Sequence, residues 1–127
     1  QKEMLIKKIG NNIKYLGSFK NVNEINKYCS VFVLPIYREG CPNIALEFMN
    51  LQKPIIITYV PGCKKIVENG FNGFFVKKKD RETLYSKMKI FIDQPSIINN
   101  YGKNSFNLLK KYHSIEKVNQ AILNELY

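Results

Sequence analysis

Two short apolar runs constrain the fold of this chain more than any other feature of its sequence. They are Val31–Leu34 and Ile55–Thr58, and neither alternates apolar with polar residues. Such runs predict strands buried on both faces, as in parallel sheets. Between them, Pro42 suits the first position of a helix ending near Gln52, and an apolar stripe follows at Ile44, Ala45, Phe48 and Leu51. This succession predicts an α/β fold with a parallel sheet covered by helices on both faces.

Further patterns extend the sheet to about four strands and add a helical C-terminal cap. Two more strands are predicted at Ile13–Leu16 and Phe74–Val76, and two short helices over Val22–Tyr28 and from Pro61 through Val67. Apolar stripes then predict a helix containing Leu84, Met88, Phe91 and Ile92, a second interrupted near Gly102, and a third after Ser114. An opening helical stripe stops at Gly10, so we expect the chain to begin inside a helix. We expect residues 1–127 to form one Rossmann-like, three-layer unit.

The chain is basic, with 20 lysines and arginines against 10 acidic residues and a net charge of +10. This balance suits a solvated surface, an anionic ligand or an anionic membrane. Only Arg38 and Arg81 are arginines, and no aromatic RNA-binding motif is present, so we expect no nucleic-acid partner. No apolar run approaches the roughly 18 residues of a membrane span, so we expect no transmembrane segment. The cysteine usage described next favours a reducing, cytoplasmic compartment.

The cysteines indicate neither a disulfide framework nor a metal site. Cys29, Cys41 and Cys63 are odd in number and lack CxxC spacing. Cys41 could act as a nucleophile only with a base such as His113, which lies far along the chain. That pairing is an alternative to the binding role developed next.

Three loops follow the carboxyl ends of predicted strands, where open parallel sheets bind ligands. They contain Gly17-Ser18-Phe19, Arg38–Asn43 and Pro61-Gly62-Cys63. Glycines let a ligand approach the backbone closely, and the helix beginning near Pro42 offers free N–H groups to an anion. The expected ligand is a nucleotide or a nucleotide sugar.

Two carboxylates flank this helix start, and hydroxyl groups are their natural partners. Glu47 is placed to accept hydrogen bonds from the vicinal hydroxyls of a ribose, and Glu39 from a sugar beyond the phosphates. Each bond to a charged acceptor is worth about 1.5–3 kcal/mol. The alternative is that Glu47 is a solvent-facing helix residue and Glu39 an ordinary surface residue.

The stretch around these glutamates resembles the donor-binding half of the retaining glycosyltransferases of group one, also called family four. The family's hallmark is a pair of glutamates separated by seven residues in a proline- and glycine-containing context. Its matches here are Pro35, Glu39, Gly40, Pro42, Glu47, Met49, Lys53 and Pro54. The resemblance extends from about Asn11 to the C-terminus and includes the turn Asn69–Gly73. It implies one half of a GT-B fold, which consists of two Rossmann-like domains.

The resemblance also implies a role for each matching residue. Glu39 would position the donor sugar, and Glu47 would bind the ribose of the nucleotide. The loop Gly17, Ser18 and Phe19 would border the base. Gly40, Cys41, Pro42 and Asn43 would face the sugar and phosphates, although Pro42 has no N–H to donate. The family usually needs no bound metal, and no cofactor is expected.

The implied reaction moves a sugar from a nucleotide-sugar donor to a glycan or lipid-linked acceptor with retention, in cell-surface polysaccharide synthesis. The first βα units, the basic phosphate-clamping residues and the acceptor domain are expected upstream of Gln1, so the fragment alone should be inactive. Peripheral contact with the inner membrane is a further hypothesis.

Two positions depart from the family pattern. Ile36 replaces a frequent serine, and Lys65 replaces a frequent glutamate after a glycine pair of which only Gly62 remains. Two other functions stay open, namely a nucleotide-sugar epimerase of related fold and a non-catalytic nucleotide-binding module.

Overall fold

The computed structural model describes residues 10–37, 43–113 and 123. The helices are α1 (Asn23–Asn26), α2 (Asn43–Asn50), α3 (Arg81–Asp93) and α4 (Ile98–Tyr112). The strands are β1 (Phe32–Leu34), β2 (Ile55–Thr58) and β3 (Gly73–Val76). Single turns of 3₁₀-helix occupy Pro61–Cys63 and Pro95–Ile97. None of the helices in these ranges has the length and hydrophobicity needed to cross a bilayer.

The three strands form one parallel sheet in the order β1-β2-β3. Phe32 is opposite Ile55 on the first pair of strands, and Ile55 is opposite Gly73 on the second. The central strand β2 is buried along its whole length, as its uninterrupted apolar run predicts. The predicted parallel α/β architecture is therefore confirmed.

Alternate residues of β2 face two separate hydrophobic layers. Ile55 and Ile57 belong to a core formed with α2 and α4, in which the rings of Phe32 and Phe48 stack with centroids 4.2 Å apart. Ile56 faces the other side, where it packs with residues of β3 and α3. Each fully buried isoleucine contributes about 1.5–3 kcal/mol relative to an exposed one. The helix–sheet–helix layering is the predicted Rossmann-like, three-layer arrangement.

The predicted strand Ile13–Leu16 is absent from the described sheet. Its residues lie in an irregular segment, and the side chains of Ile13 and Leu16 are 59% and 44% exposed. A strand needs a partner with which to form its hydrogen-bond ladder, and no strand of the described sheet pairs with this segment. The prediction was therefore wrong for this segment, and the sheet has three strands in the described ranges.

The predicted helix from Pro61 through Val67 is also absent. Only Pro61–Cys63 forms a helical turn, of the 3₁₀ type, and non-helical turns follow. The amide of Asn72 explains the interruption: it donates to the carbonyl of Ile66 at 2.9 Å and accepts from the N–H of Glu68 at 2.8 Å. These bonds use backbone groups that a continuing helix would need.

Gly102 does not interrupt its helix, contrary to prediction, because α4 runs unbroken from Ile98 to Tyr112. The residue instead permits a close contact between two chain segments. A Cβ atom at Gly102 would lie only 2.0 Å from the carbonyl oxygen of Gln52, just beyond the end of α2. The glycine is thus required by packing.

The other helix predictions have mixed outcomes. Helix α3 is confirmed, but Met88 and Ile92 of its predicted stripe are exposed, whereas Leu84, Ile90 and Phe91 pack inward. The helix therefore lies rotated from the predicted orientation. Helix α1 is confirmed in a shorter form. The predicted helices before Gly10 and after Ser114 lie outside the described residues.

Asn72 is the buried polar centre of the β2–β3 connection. Its side chain is fully buried, and its amide also donates to the hydroxyl of Ser105 on α4 at 3.2 Å. Its backbone carbonyl accepts from the N–H of Ile55 at the start of β2. One residue thus connects the sheet, the loop and α4.

The contact between Gly102 and Gln52 predicts a large effect of a single methyl group. Gly102→Ala should lower the free energy of unfolding by about 1–3 kcal/mol, because the Gln52 carbonyl has to move. Urea unfolding of the purified protein measures this change. Asn107→Ala, at an exposed position of the same helix, is the control and should stay within about 0.5 kcal/mol of the parent. Equal stability of the two variants would contradict the close contact.

Replacing Asn72 should be costly for a different reason. Asn72→Ala leaves the Ile66 carbonyl and the Glu68 N–H without this partner, and each buried unsatisfied group costs about 1–3 kcal/mol. Asn104→Ala is the matched control, because Asn104 donates to the carbonyl of Phe71 at an exposed position of the same turn. Thermal unfolding should show a clearly larger loss for Asn72→Ala, and similar losses would argue against the buried network.

Candidate functional site

The carboxyl ends of the three parallel strands meet at one edge of the sheet, which we call the carboxyl edge. The strands end there at Leu34, Thr58 and Val76. Open parallel sheets bind ligands at this edge, because the loops that leave the strands here can surround a ligand.

The first loop at the carboxyl edge is held by a side chain of β2. The hydroxyl of Thr58 accepts a hydrogen bond from the backbone N–H of Ile36 at 3.0 Å. This bond places the beginning of the β1–α2 loop beside the end of β2. It thereby sets where the chain leaves the sheet toward α2.

Helix α2 places Glu47 in the interior of the domain. The residue lies just over one turn after Asn43, the first helical residue, and its side chain is only 8% exposed. It stands between the buried residues Leu46 and Phe48. This burial contradicts the alternative that Glu47 is an ordinary solvent-facing helix residue. Hydrogen bonds to a buried carboxylate are stronger than hydrogen bonds in water.

The second loop contains Gly62 at the same edge. Val60 is extended, and Pro61–Cys63 forms the 3₁₀ turn, in which Gly62 is exposed and Cys63 is buried. The N–H of Cys63 donates to the Val60 carbonyl at 2.9 Å, which closes the turn. Asn43, Glu47 and Gly62 therefore follow the ends of two neighbouring strands, as the sequence predicts.

The loop Gly17-Ser18-Phe19 is positioned differently from its prediction. No strand of the described sheet leads into it, because the segment before it is irregular. Gly17 has a left-handed backbone with φ of 76°, and Phe19 is exposed. The loop therefore does not reach the carboxyl edge as the continuation of a strand.

Four predicted site residues lie outside the described residues: Glu39, Gly40, Cys41 and Pro42. Their roles, and the alternative pairing of Cys41 with His113, stay predictions. Within the described ranges, no three His, Cys, Asp or Glu side chains come together in a group that could hold a metal ion.

A basic cleft at the carboxyl edge was not predicted from the sequence. The cleft has a volume of about 60 Å³ and lies between the β1 and β2 ends and the β3–α3 loop. Its polar lining residues are Tyr37, Thr58, Lys77, Lys79, Asp80 and Arg81, so three cations outnumber one carboxylate. The signal was available, because Lys77 directly follows the carboxyl end of β3. Ligands bind at the carboxyl ends of parallel strands, and this holds for the loop after Val76 as it does for the loops after Leu34 and Thr58.

Asp80 anchors the start of α3 beside this cleft. Its carboxylate accepts from the backbone N–H of Thr83 at 3.0 Å and from the Thr83 hydroxyl at 2.6 Å. These two hydrogen bonds, the hydroxyl bond foremost, hold the pKa of Asp80 below its ordinary value. The carboxylate thereby caps the helix in its ionised form.

Comparison with known proteins identifies the family. The sequence profile of the family described as glycosyl transferases group 1 matches residues 1–108, which is most of the chain. The chain belongs to the group 1 glycosyltransferases. The resemblance stated from its glutamate pair is therefore confirmed.

Several curated glycosyltransferases are similar to the chain. The N,N'-diacetylbacillosaminyl-diphospho-undecaprenol alpha-1,3-N-acetylgalactosaminyltransferase of Campylobacter jejuni is 30% identical over 93 residues, covering 73% of this chain and 25% of the relative. The capsular polysaccharide biosynthesis glycosyltransferase CapM of Staphylococcus aureus is 34% identical over 101 residues, covering 80% and 24%. The Escherichia coli UDP-Gal:alpha-D-GlcNAc-diphosphoundecaprenol alpha-1,3-galactosyltransferase is 28% identical over 123 residues, covering 91% and 31%. The matched part of the chain thus covers 24–31% of the length of these relatives.

A solved structure supports the fold of this group 1 domain. The C-terminal domain of a glycosyl transferase group 1 family protein, LpcC of Francisella tularensis, superposes with a TM-score of 0.71 at 19% identity. The match covers 89% of this chain and 60% of that one. The domain is therefore an α/β Rossmann-like unit of the kind found as the C-terminal half of a GT-B fold.

The Asp80 cap predicts a pH-dependent contribution to stability. Because its pKa is lower in the folded than in the unfolded state, the stabilisation is complete above the unfolded pKa of about 3.9 and is lost as the pH falls through the lower folded value. Asp80→Ala should lower the melting temperature at pH 7, and the difference from wild type should shrink below about pH 4. Thermal unfolding between pH 3 and 7 measures this. Glu82→Ala is the control without a capping bond, and an undiminished Asp80→Ala difference at pH 3 would argue against the cap.

Proposed function

We propose that the protein containing this chain is a glycosyltransferase and that the chain forms its nucleotide-sugar-binding domain. The observation that carries the proposal is the burial of Glu47 on α2, the helix that follows the carboxyl-edge loop after β1. A buried glutamate on the helix that follows a carboxyl-edge loop suits recognition of a polar ligand. Membership of the group 1 family supports the same function.

Glu47 binds the ribose of the donor nucleotide in this proposal. A carboxylate accepts hydrogen bonds from both vicinal hydroxyls, and the low exposure of the side chain strengthens them. Glu39 positions the donor sugar, and Gly40, Cys41, Pro42 and Asn43 face the sugar and phosphates. Gly17, Ser18 and Phe19 border the base, and Gly62 lets the ligand approach the backbone. The basic cleft with Lys77, Lys79 and Arg81 attracts an anionic donor to the edge.

The proposal for the whole protein also covers its acceptor and the stereochemistry of the transfer. Two relatives have names that specify diphospho-undecaprenol-linked acceptors, and a third is named for capsular polysaccharide biosynthesis. We therefore propose a glycan or lipid-linked acceptor, transfer with retention at the anomeric carbon, and a role in surface polysaccharide synthesis. The acceptor would bind to a separate domain, so residues 1–127 alone would have no transferase activity.

We further propose a cytoplasmic protein that contacts the inner membrane peripherally. The net charge of +10 supports this location, because lysines near an anionic leaflet contribute about 1 kcal/mol each. Sedimentation of the full-length protein with anionic vesicles at low salt tests the contact.

The proposed ribose contact is tested in the full-length protein by comparing two protein variants, each with two ligands. Calorimetry would measure the affinity of wild type and Glu47→Gln for UDP and for its 2′,3′-dideoxy analogue. We expect UDP binding to weaken about 10- to 100-fold in the variant, and wild type to lose a similar factor when the hydroxyls are removed. The variant should distinguish the two ligands less than wild type does, because the amide keeps only one acceptor oxygen and carries no charge.

Glu68→Gln is the matched control, since Glu68 is an exposed glutamate outside α2. It should behave as wild type with both ligands. A Glu47→Gln variant that still prefers UDP to the dideoxy analogue as strongly as wild type would contradict the ribose role. Mass analysis of the products formed from a UDP-sugar and a lipid-linked acceptor tests the transferase itself, since an epimerase would change the sugar and leave it on the nucleotide.

A further inference from the structure

A second cavity lies away from the residues assigned to the donor. It has a volume of about 270 Å³ and opens between the segment after the 3₁₀ turn Pro61–Cys63 and the last turns of α4. Its lining residues are Lys64, Lys65, Val67, Glu68, Leu108 and Tyr112. This volume is at the lower end of the roughly 300–1,000 Å³ typical of small-molecule sites. The cavity therefore suits a small ligand.

The rim of this cavity carries an excess of positive charge. Lys64 and Lys65 are exposed, and neither forms an ion pair with a carboxylate of the described residues. The ammonium groups of Lys65 and Lys111 lie 5.5 Å and 5.0 Å from the centroid of the Tyr112 ring. Glu68 is the single carboxylate of the lining, so the two lining lysines outnumber it. The rim therefore favours an anion.

The interior of the cavity is apolar. Val67 and Leu108 form its floor and belong to the core between the sheet and α4. Tyr112 forms a wall, and its side chain remains 42% exposed. An exposed aromatic ring beside an apolar floor can cover the non-polar part of a ligand. Charge on the rim and apolar surface inside thus recognise different parts of one molecule.

We propose that this cavity binds a phosphomonoester that has a small apolar or aromatic group next to its phosphate. The phosphate pairs with Lys64 and Lys65, and the apolar group lies over Val67 and Leu108 against Tyr112. The same chemistry occurs in soluble phosphorylated metabolites and in the headgroup region of phosphatidic acid. The site uses none of the residues assigned to the nucleotide sugar, so it does not depend on the proposed transferase activity.

Calorimetric titrations of the full-length protein at low salt test the site with defined probes. Phenyl phosphate should bind more tightly than inorganic phosphate, because only phenyl phosphate also covers the apolar floor. The double variant Lys64→Gln/Lys65→Gln should weaken phenyl phosphate binding about tenfold or more, as expected for the loss of charge-assisted hydrogen bonds. Tyr112→Ser should weaken phenyl phosphate but leave inorganic phosphate unchanged.

Lys103→Gln/Lys110→Gln is the matched control, because it removes the same charge from exposed positions of α4 outside the cavity. It should change the affinity less than about twofold, since exposed charges act only through screened fields. Equal losses in the two double variants would overturn the proposal, because they would indicate non-specific attraction. Unchanged phenyl phosphate binding in Lys64→Gln/Lys65→Gln would overturn it as well.

Two further measurements distinguish a lipid headgroup from a soluble metabolite, and the second cavity from the donor site. Binding of dihexanoyl phosphatidic acid below its micelle concentration, weakened by the same lysine variant, would indicate a lipid headgroup, whereas binding of phenyl phosphate alone would indicate a soluble metabolite. Glu47→Gln should leave phenyl phosphate binding intact. If Glu47→Gln removed this binding, or if UDP competed with it, the phosphate would occupy the donor site and the second site would be disproved.

Discussion

The hydrogen bonds of the buried Asn72 side chain are the interaction on which the rest of this domain depends. Its buried amide forms hydrogen bonds with the backbone of Ile66 and Glu68 and with the hydroxyl of Ser105 on α4. The backbone carbonyl of the same residue accepts from the N–H of Ile55 at the start of β2. A buried amide is favourable only when its donors and acceptors are satisfied, so the network has one geometry. That geometry sets the path of the backbone from Ile66 to Glu68, directly after Lys64 and Lys65. The second cavity, which Val67 and Glu68 help to line, therefore depends on a polar group in the core.

The sequence predicts elements well where burial alone decides them. The runs at Val31–Leu34 and Ile55–Thr58 become β1 and β2 because a strand covered on both faces must be apolar throughout. Prediction fails where a distant partner decides. Ile13–Leu16 has strand-like residues but no ladder partner in the described sheet, and the Pro61–Val67 helix is prevented by an asparagine that follows it in the chain. Gly102 suggests a helix break in the sequence, but the structure shows that a glycine is needed there because the Gln52 carbonyl lies against it.

The candidate site shows the same division. The carboxyl-edge rule correctly places Asn43, Glu47 and Gly62 on loops and a helix after neighbouring strands, because strand direction follows from parallel pairing. It did not lead to Lys77, Lys79 and Arg81, which the same rule covers once β3 is included. Burial of Glu47 could not be predicted, since its place in the helix is compatible with either face. The arrangement of Glu39 to Pro42 stays a prediction.

The contact between Gly102 and the Gln52 carbonyl also has a mechanical meaning. Two backbones that touch without an intervening side chain resist sliding, because a shift that brings them closer produces a clash that no rotamer change relieves. Helices α2 and α4 should then move as a single rigid body. A displacement that brings Glu47 toward a bound ligand would carry the whole α4 layer with it. Any adjustment at Glu47 is therefore expected to involve α2 and α4 together.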